Sequence, residues 1–300
     1  MKQLPKSLRK GDTVAIVATA RKTTEEEIAP SVKMMEGWGL KVVFSPHLFK
    51  SENQFAGSDS ERSSDLQWAL DNKDVKAIIM ARGGYGTLRI VDKVNFSRFV
   101  KNPKWIVGYS DITVLSSHLI NLGVASIHGT MAFNFSQHEE ATESVRKLLF
   151  GESVNYEMPA HALNKCGEGK AELVGGNLSV LYALSGSESD LVTKHKILFI
   201  EDLDEYLYHV DRMMMQLKRS GKLKNLKGLI VGGMTEMKDN KIPYGKSVEE
   251  IILDAVKEYN YPVCFNFPAG HIKRNLAFCI GKMIQLVVYN SGTKVDYIED

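Results

Sequence analysis

The stretch Trp105-Ile-Val-Gly-Tyr-Ser-Asp-Ile-Thr-Val-Leu-Ser-Ser-His-Leu119 runs from an apolar segment of strand length into one with helical periodicity. Ile112, Leu115, Leu119 and Leu122 recur at helical spacing, and the polar pair Ser110-Asp111 sits at the junction. A serine there has two readings. It can cap the helix, its hydroxyl accepting from a free amide of the first turn. It can also be a nucleophile on a sharp strand-to-helix turn, where the next amide and the helix dipole face any anion formed beside the hydroxyl. The stretch alone leaves both open.

The same alternation extends on either side and predicts an α/β fold with mainly parallel sheets. TVAIVAT (13–19), LKVVFS (40–45), KAIIMA (76–81) and WIVGY (105–109) read as strands. Capping boxes at Thr24-x-x-Glu27 and Ser58-x-x-Glu61 open intervening helices, the first of which Pro30 should kink or restart. GESVNYEMPAHALNKCGEGK (151–170) has little periodicity and several turn formers, so a domain connection is expected there. The expected units are therefore an N-terminal domain over 1–150 and a smaller, mixed C-terminal one over 171–300. In the second, KILFIED (196–202), KGLIVGG (227–233) and PVCFNF (262–267) read as strands, and LAFCIG with MIQLVVY as a closing hairpin or strand pair. Helices carry Tyr206, Val210, Met213 and Leu217, and then Val248, Ile252, Ala255 and Tyr259.

Composition excludes several classes. A chain of 300 residues with 44% hydrophobic side chains can bury a large core, and a net charge of +2 offers no nucleic-acid surface or polybasic membrane patch. The expected partner is a small molecule. Cys166, Cys264 and Cys279 have no CxxC spacing, and two lie in apolar runs, which fits buried thiols in a reducing compartment. Lys2, Lys6, Arg9 and Lys10 ahead of an apolar run imitate a signal peptide, but the Gly11-Asp12 turn and Val/Ile enrichment fit a first core strand. No segment approaches the roughly 20 apolar residues of a membrane span. A cytoplasmic location is expected.

Gly84-Tyr-Gly86 lacks the third glycine of a dinucleotide fingerprint, and there is no GxxxxGK[ST]. His138-Glu139 is not HExxH, because position 142 is Thr; zinc hydrolysis is not expected. Ser7-x-x-Lys10 and Ser291-x-x-Lys294 come without SDN or KTG partners. What remains are polar residues at strand ends, which in an open parallel sheet converge on one crevice. Ser110, Glu201 and His271 each fall at such a position. A serine needs a base to become a nucleophile, histidine titrates in the right range, and a carboxylate fixes its tautomer. The order Ser, Glu, His is that of α/β-hydrolases, but Ile112 replaces the second glycine of GxSxG.

Seven stretches in order resemble the LD-carboxypeptidases, serine peptidases that trim muropeptides, and their relatives that cleave microcin C. They are LPKSLRKGDTVAIVA, ARGGYG, WIVGYSDIT, IHGTM, ELVGGNLSVL, ILFIEDLDEYLYHVDRMMMQL and FPAGH, covering nearly the whole chain. The resemblance implies a Ser110-Glu201-His271 triad without metal or cofactor, a crevice between two domains and a homodimer. It also implies an oxyanion hole of the Gly84 and Asp111 N–H groups. The first strand departs from the family, with Ala18-Thr19-Ala20 where a serine-proline-serine-like stretch is common.

Arg82, Tyr85, His128 and Asn177 are the candidate substrate-binding residues. Arg82 could pair with a substrate carboxylate or form an ordinary salt bridge. Asn177 could bind peptide or cap the next helix, and His128 could line the pocket. The expected activity releases terminal D-alanine from a muropeptide tetrapeptide. A microcin-immunity peptidase acting on a peptide-nucleotide conjugate and a silent small-peptide-binding protein are the alternatives.

Overall fold

The computed structural model describes residues 2–298 and contains two sheets. Seen along the chain, β1 (Thr13–Val17), α1 (Glu25–Gly37), β2 (Lys41–Phe44), α2 (Asp59–Asp71), β3 (Val75–Met80), α3 (Ser97–Lys101), β4 (Trp105–Val107), α4 (Thr113–Asn121), β5 (Ser126–His128) and α5 (Glu139–Leu149) build the first layer system. Next come β6 (Tyr156–Pro159), β7 (Gly167–Asn177), α6 (Leu178–Ala183), β8 (Ile197–Leu203), α7 (Leu207–Arg219), β9 (Gly228–Thr235), α8 (Val248–Val256) and β10 (Val263–Cys264). Three strands close the chain: β11 (Phe278–Ile280), β12 (Met283–Tyr289) and β13 (Gly292–Tyr297).

The first sheet has the order β11-β5-β4-β3-β1-β2 and is parallel except for β11. Alternation along its strands separates two cores. Val14 and Ile16 of β1 and Ala77 and Ile79 of β3 pack with Ile28, Met35, Val145 and Leu149 of α1 and α5. Ala15, Val17, Ile78 and Met80 point the other way, to Leu66, Leu70, Phe99, Leu115 and Leu119 of α2, α3 and α4. Strands buried on both faces read as continuous apolar runs, as a helix-covered parallel sheet requires. The capping boxes of Thr24 with Glu27 and Ser58 with Glu61 both form. Pro30 lies inside α1, which does not restart there.

The second sheet, β10-β9-β8-β7-β12-β13-β6, is parallel from β10 to β7 and antiparallel beyond. Val210, Met213, Leu217, Ile251, Ile252 and Ala255 of α7 and α8 cover it. With seven strands against six, its sheet is the wider of the two. Two connections differ from the sequence reading. Residues 151–170 supply β6 and the start of β7 rather than a bare connection. LAFCIG and MIQLVVY do not pair: β11 crosses back to β5, and the hairpin partner of β12 is β13.

One helix faces both halves. Every residue of α4 from Thr113 to Ile120 is buried, including Ser116, Ser117 and His118, although Leu122 just beyond it is exposed. The Thr113 hydroxyl accepts from Asn177 N at 3.0 Å, tying the helix after Ser110 to the end of β7.

Candidate active site

The first sheet delivers Ser110 and the second delivers Glu201, while His271 lies on the loop between β10 and β11. Ser110 starts a 3₁₀ turn that leads into α4, and its φ is +63°. A left-handed non-glycine residue costs on the order of 1–3 kcal/mol and persists only where its surroundings impose it. Here the strand end and the helix start impose it, so the hydroxyl stands out of the turn. Ile112, at the position of a second elbow glycine, fills the space over Gly108, where a Cβ would come within 2.8 Å of its Cγ1.

His271 Nε2 lies 3.1 Å from Ser110 Oγ, and His271 Nδ1 lies 2.7 Å from Glu201 Oε2. Three residues spread over 161 positions form one hydrogen-bonded row. Glu201 is fully buried and sits opposite Asn177 in β7. On its other side the register slips between Ile200 and Asp202, so that Gly232 and Gly233 of β9 face it. A Cβ on Gly232 would meet Ala269 O at 2.5 Å and one on Gly233 would meet Ile272 at 2.6 Å, so this glycine pair lets the histidine loop close onto the strands. Gly270, at φ +104°, presses on Glu201 itself: a Cβ there would lie 2.7 Å from the glutamate Cβ. Asn275 Oδ1 accepts from Gly270 N at 2.8 Å and fixes the same turn.

Burial works against a charged His271, but the hydrogen bond and charge of Glu201, with the nearby Asp202 and Glu236, outweigh it and raise the imidazole above its ordinary value. Tyr109 packs its ring 4.9 Å from that of His271 and is pushed up to about 12 by burial and by the Glu201 charge. Asp202 points away from His271: its carboxylate accepts from Asn177 Nδ2 at 2.9 Å and from Ser179 N at 2.8 Å. Burial and then the Glu201 charge lift Asp202 to about 6.

The loop after β3 packs over the serine. A Cβ on Gly83 would come within 3.0 Å of Ser110 Cβ. Gly84 has φ +110°, and Asp111 follows Ser110 in the 3₁₀ turn. Tyr85 at the loop tip is exposed. Arg82 is engaged within the protein, paired with Glu27 at 3.1 Å and lying 4.0 Å from the Phe133 ring centre. His128 is not at the crevice surface. It is buried, stacked on Phe278 at 4.8 Å and edge-on to Phe199, and burial lowers it to about 4. Asn177 caps α6, its Oδ1 accepting from Val180 N at 3.1 Å, while its Nδ2 serves Asp202.

The sequence reading missed Tyr109, Gly83 and Gly270 as neighbours of the row. Gly270 carried a signal, a glycine directly before the strand-end histidine; the others did not. Among the described residues no group of three or more His, Cys, Asp or Glu is placed to hold a metal ion. Nor is any described helix long and apolar enough to cross a membrane.

Residues 14–129 match the profile of the LD-carboxypeptidase N-terminal domain, and residues 170–286 that of the LD-carboxypeptidase C-terminal domain. The chain belongs to the LD-carboxypeptidase family. A probable murein peptide carboxypeptidase of Bacillus subtilis is 35% identical over 302 residues, covering 98% of this chain and 94% of that protein. A murein tetrapeptide carboxypeptidase of Pseudomonas aeruginosa is 27% identical, covering 90% and 91%. The crystal structure of a muramoyltetrapeptide carboxypeptidase from Oxalobacter formigenes superposes with a TM-score of 0.88 at 26% identity, covering 96% of this chain and 99% of that one. The C-terminal match includes β11, which nonetheless pairs with β5 in the first sheet, so a strand of the C-terminal region completes the N-terminal sheet.

Proposed function

We propose that this chain is a serine LD-carboxypeptidase that removes the terminal D-alanine from a muropeptide tetrapeptide. The observation that carries the proposal is the hydrogen-bonded row of Ser110, His271 and Glu201. Ser110 Oγ attacks the carbonyl carbon of the last peptide bond while His271 Nε2 takes the hydroxyl proton. Glu201, acceptor at Nδ1, holds the tautomer that leaves Nε2 free as a base and stabilises the imidazolium. The oxyanion forms toward the N–H groups of Gly84 and Asp111. Collapse of the intermediate breaks the C–N bond, His271 returns the proton to the departing amine, and water repeats the sequence on the acyl-serine. The strand register supports Glu201 over Asp202, because Asp202 is turned to the cap of α6.

Tyr85, exposed on the loop over Ser110, is the substrate contact we retain from the sequence. Arg82, by contrast, already spends its Nη1 on Glu27. The reading places the enzyme in the cytoplasm as a homodimer, which sedimentation of the purified protein checks.

The deciding experiment is incubation with free or disaccharide-linked tetrapeptide and assay of released D-alanine. Ser110→Ala should lower turnover by roughly 10⁶ while substrate still binds. Binding without turnover by the wild type would mark a silent peptide receptor. Turnover of a peptide-nucleotide conjugate alone would mark an immunity peptidase.

A further inference from the structure

Arg62 is one of the largest fully buried side chains among the described residues, 1% exposed, and α2 carries no other cation. A buried guanidinium is costly to leave unpaired, so where its donors go is informative. Nη1 donates to Thr19 O at 2.6 Å and to Gly86 O at 2.9 Å, and Nε donates to Gly57 O at 3.3 Å. Nη2 pairs with Asp59 one turn earlier on α2. The Phe55 ring centre lies 4.9 Å from the guanidinium carbon. One planar fork thus joins the end of β1, the start of α2 and the glycine loop that covers Ser110.

That loop is held at neighbouring points as well. Gly83 O accepts from Arg21 N at 3.3 Å, Thr87 N donates to the buried Asp111 carboxylate at 2.8 Å, and the Thr87 hydroxyl pairs with that of Thr19 at 2.8 Å. Thr19 is thereby given an internal task. The fit of loop to guanidinium is tight: a Cβ on Gly86 would lie 2.6 Å from Arg62 Nη1. Backbone amides stabilise an oxyanion only if they are already aimed when the charge develops. Gly84 lies between the two fixed carbonyls, directly after Gly83, whose O Arg21 N holds, and two residues before Gly86, whose O Arg62 holds.

We propose that Arg62 is a positioning residue for the oxyanion hole: it pins Gly86 to Thr19 so that the Gly84 N–H is aimed at the oxygen of the tetrahedral intermediate. Arg62 touches no substrate and acts through the loop. The proposal rests on the Ser110 mechanism above, and its test separates the two.

Turnover and KM are to be measured for Arg62→Lys, Arg62→Ala and Gly86→Ala beside Ser110→Ala, each with a melting curve and a circular dichroism spectrum. Arg62→Lys keeps the charge but not the fork. In folded Arg62→Lys and Gly86→Ala, kcat should fall by roughly 10- to 100-fold, as misplacement of catalytic groups by about 1 Å does, with KM within about twofold. Millimolar methylguanidinium should restore part of the kcat of Arg62→Ala, and methylammonium should not. A wild-type kcat in folded Arg62→Lys, a raised KM with kcat intact, or no rescue by methylguanidinium would overturn the proposal. So would loss of the fold in all three variants, which would make Arg62 a residue of the core alone. Activity retained by Ser110→Ala would instead overturn the mechanism on which the proposal rests.

Discussion

Glu201 Oε2 accepts two hydrogen bonds from the same residue, one from the ring Nδ1–H of His271 at 2.7 Å and one from its backbone N–H at 3.1 Å. One carboxylate oxygen therefore fixes both the loop and the imidazole it carries. Of the four acids in Glu201-Asp-Leu-Asp-Glu205, only Glu201 fills this role. Glu201→Gln keeps the shape but puts an amide where an acceptor is needed and removes the charge opposing the imidazolium. Turnover should fall by several orders of magnitude, by analogy with the roughly 10⁴-fold loss in a serine protease. Asp202→Asn should fall far less, since its partners are Asn177, Ser179 and Leu203. Loss of activity in Asp202→Asn with activity kept in Glu201→Gln would reverse the assignment.

The pH profile follows from the direction in which His271 is moved. Raised above the ordinary histidine value near 6.5 by Glu201, Asp202 and Glu236, it is charged, and so inactive as a base, over a wider acid range. The acid limb of kcat/KM should lie above that value. Glu236→Gln removes one distant negative charge without touching the row, and should move the limb to lower pH. An unchanged limb would mean that another group governs it.

The strand and helix pattern was legible because both periods are written into the chain: apolar runs for strands covered on both faces, and capping boxes that form as read at Thr24 and Ser58. The last strands were not. Gly281 at the end of LAFCIG, separated by one residue from MIQLVVY, suits a hairpin turn, and nothing local tells that β11 belongs to the other sheet. β12 and β13 bury alternate residues, but MIQLVVY is apolar at nearly every position and does not show it. Ser110, Glu201 and His271 were legible as strand-end residues of complementary chemistry. Arg62 was not, because an arginine on a helix reads as a solvated face until three chain segments close over it. His128 and Asn177 show the converse: a polar residue near a site is often committed inward, Asn177 to the helix cap the sequence also allowed.

Gly270→Ala tests how tightly the histidine loop is built. The backbone φ of +104° disfavours any side chain, and the new methyl would meet the fully buried Glu201, which has no room to withdraw. Thermal stability should drop by more than about 1 kcal/mol, and turnover should drop further than the unfolded fraction explains. A variant of normal melting temperature and normal turnover would show that the loop has slack that these contacts deny.

Cys166 is exposed, whereas Cys264 and Cys279 are buried and held up to about 12 by desolvation. Only a thiolate reacts readily with an alkylating agent. Iodoacetamide at neutral pH should therefore modify one thiol of the native protein and leave turnover unchanged, and all three after unfolding. Native modification of Cys264 or Cys279 would contradict the packing of β10 or β11.

Asn177→Ala separates a substrate contact from a structural one. Its Oδ1 caps α6 through Val180 N, and its Nδ2 satisfies Asp202, a carboxylate already raised to about 6 by burial and by Glu201. Removing the side chain frees an amide at the cap and takes a donor from a buried acceptor. Together these should cost about 1–3 kcal/mol in stability. With less support for its charge, Asp202 should titrate higher still and approach neutrality near pH 7. His271 would then lose part of the negative field that raises it, so the acid limb of kcat/KM should shift to lower pH in this variant too. KM should stay near the wild-type value, because the amide is turned into the protein. A KM raised tenfold or more with an unchanged melting temperature would instead make Asn177 a residue that binds peptide, and would require its side chain to leave the α6 cap when substrate enters.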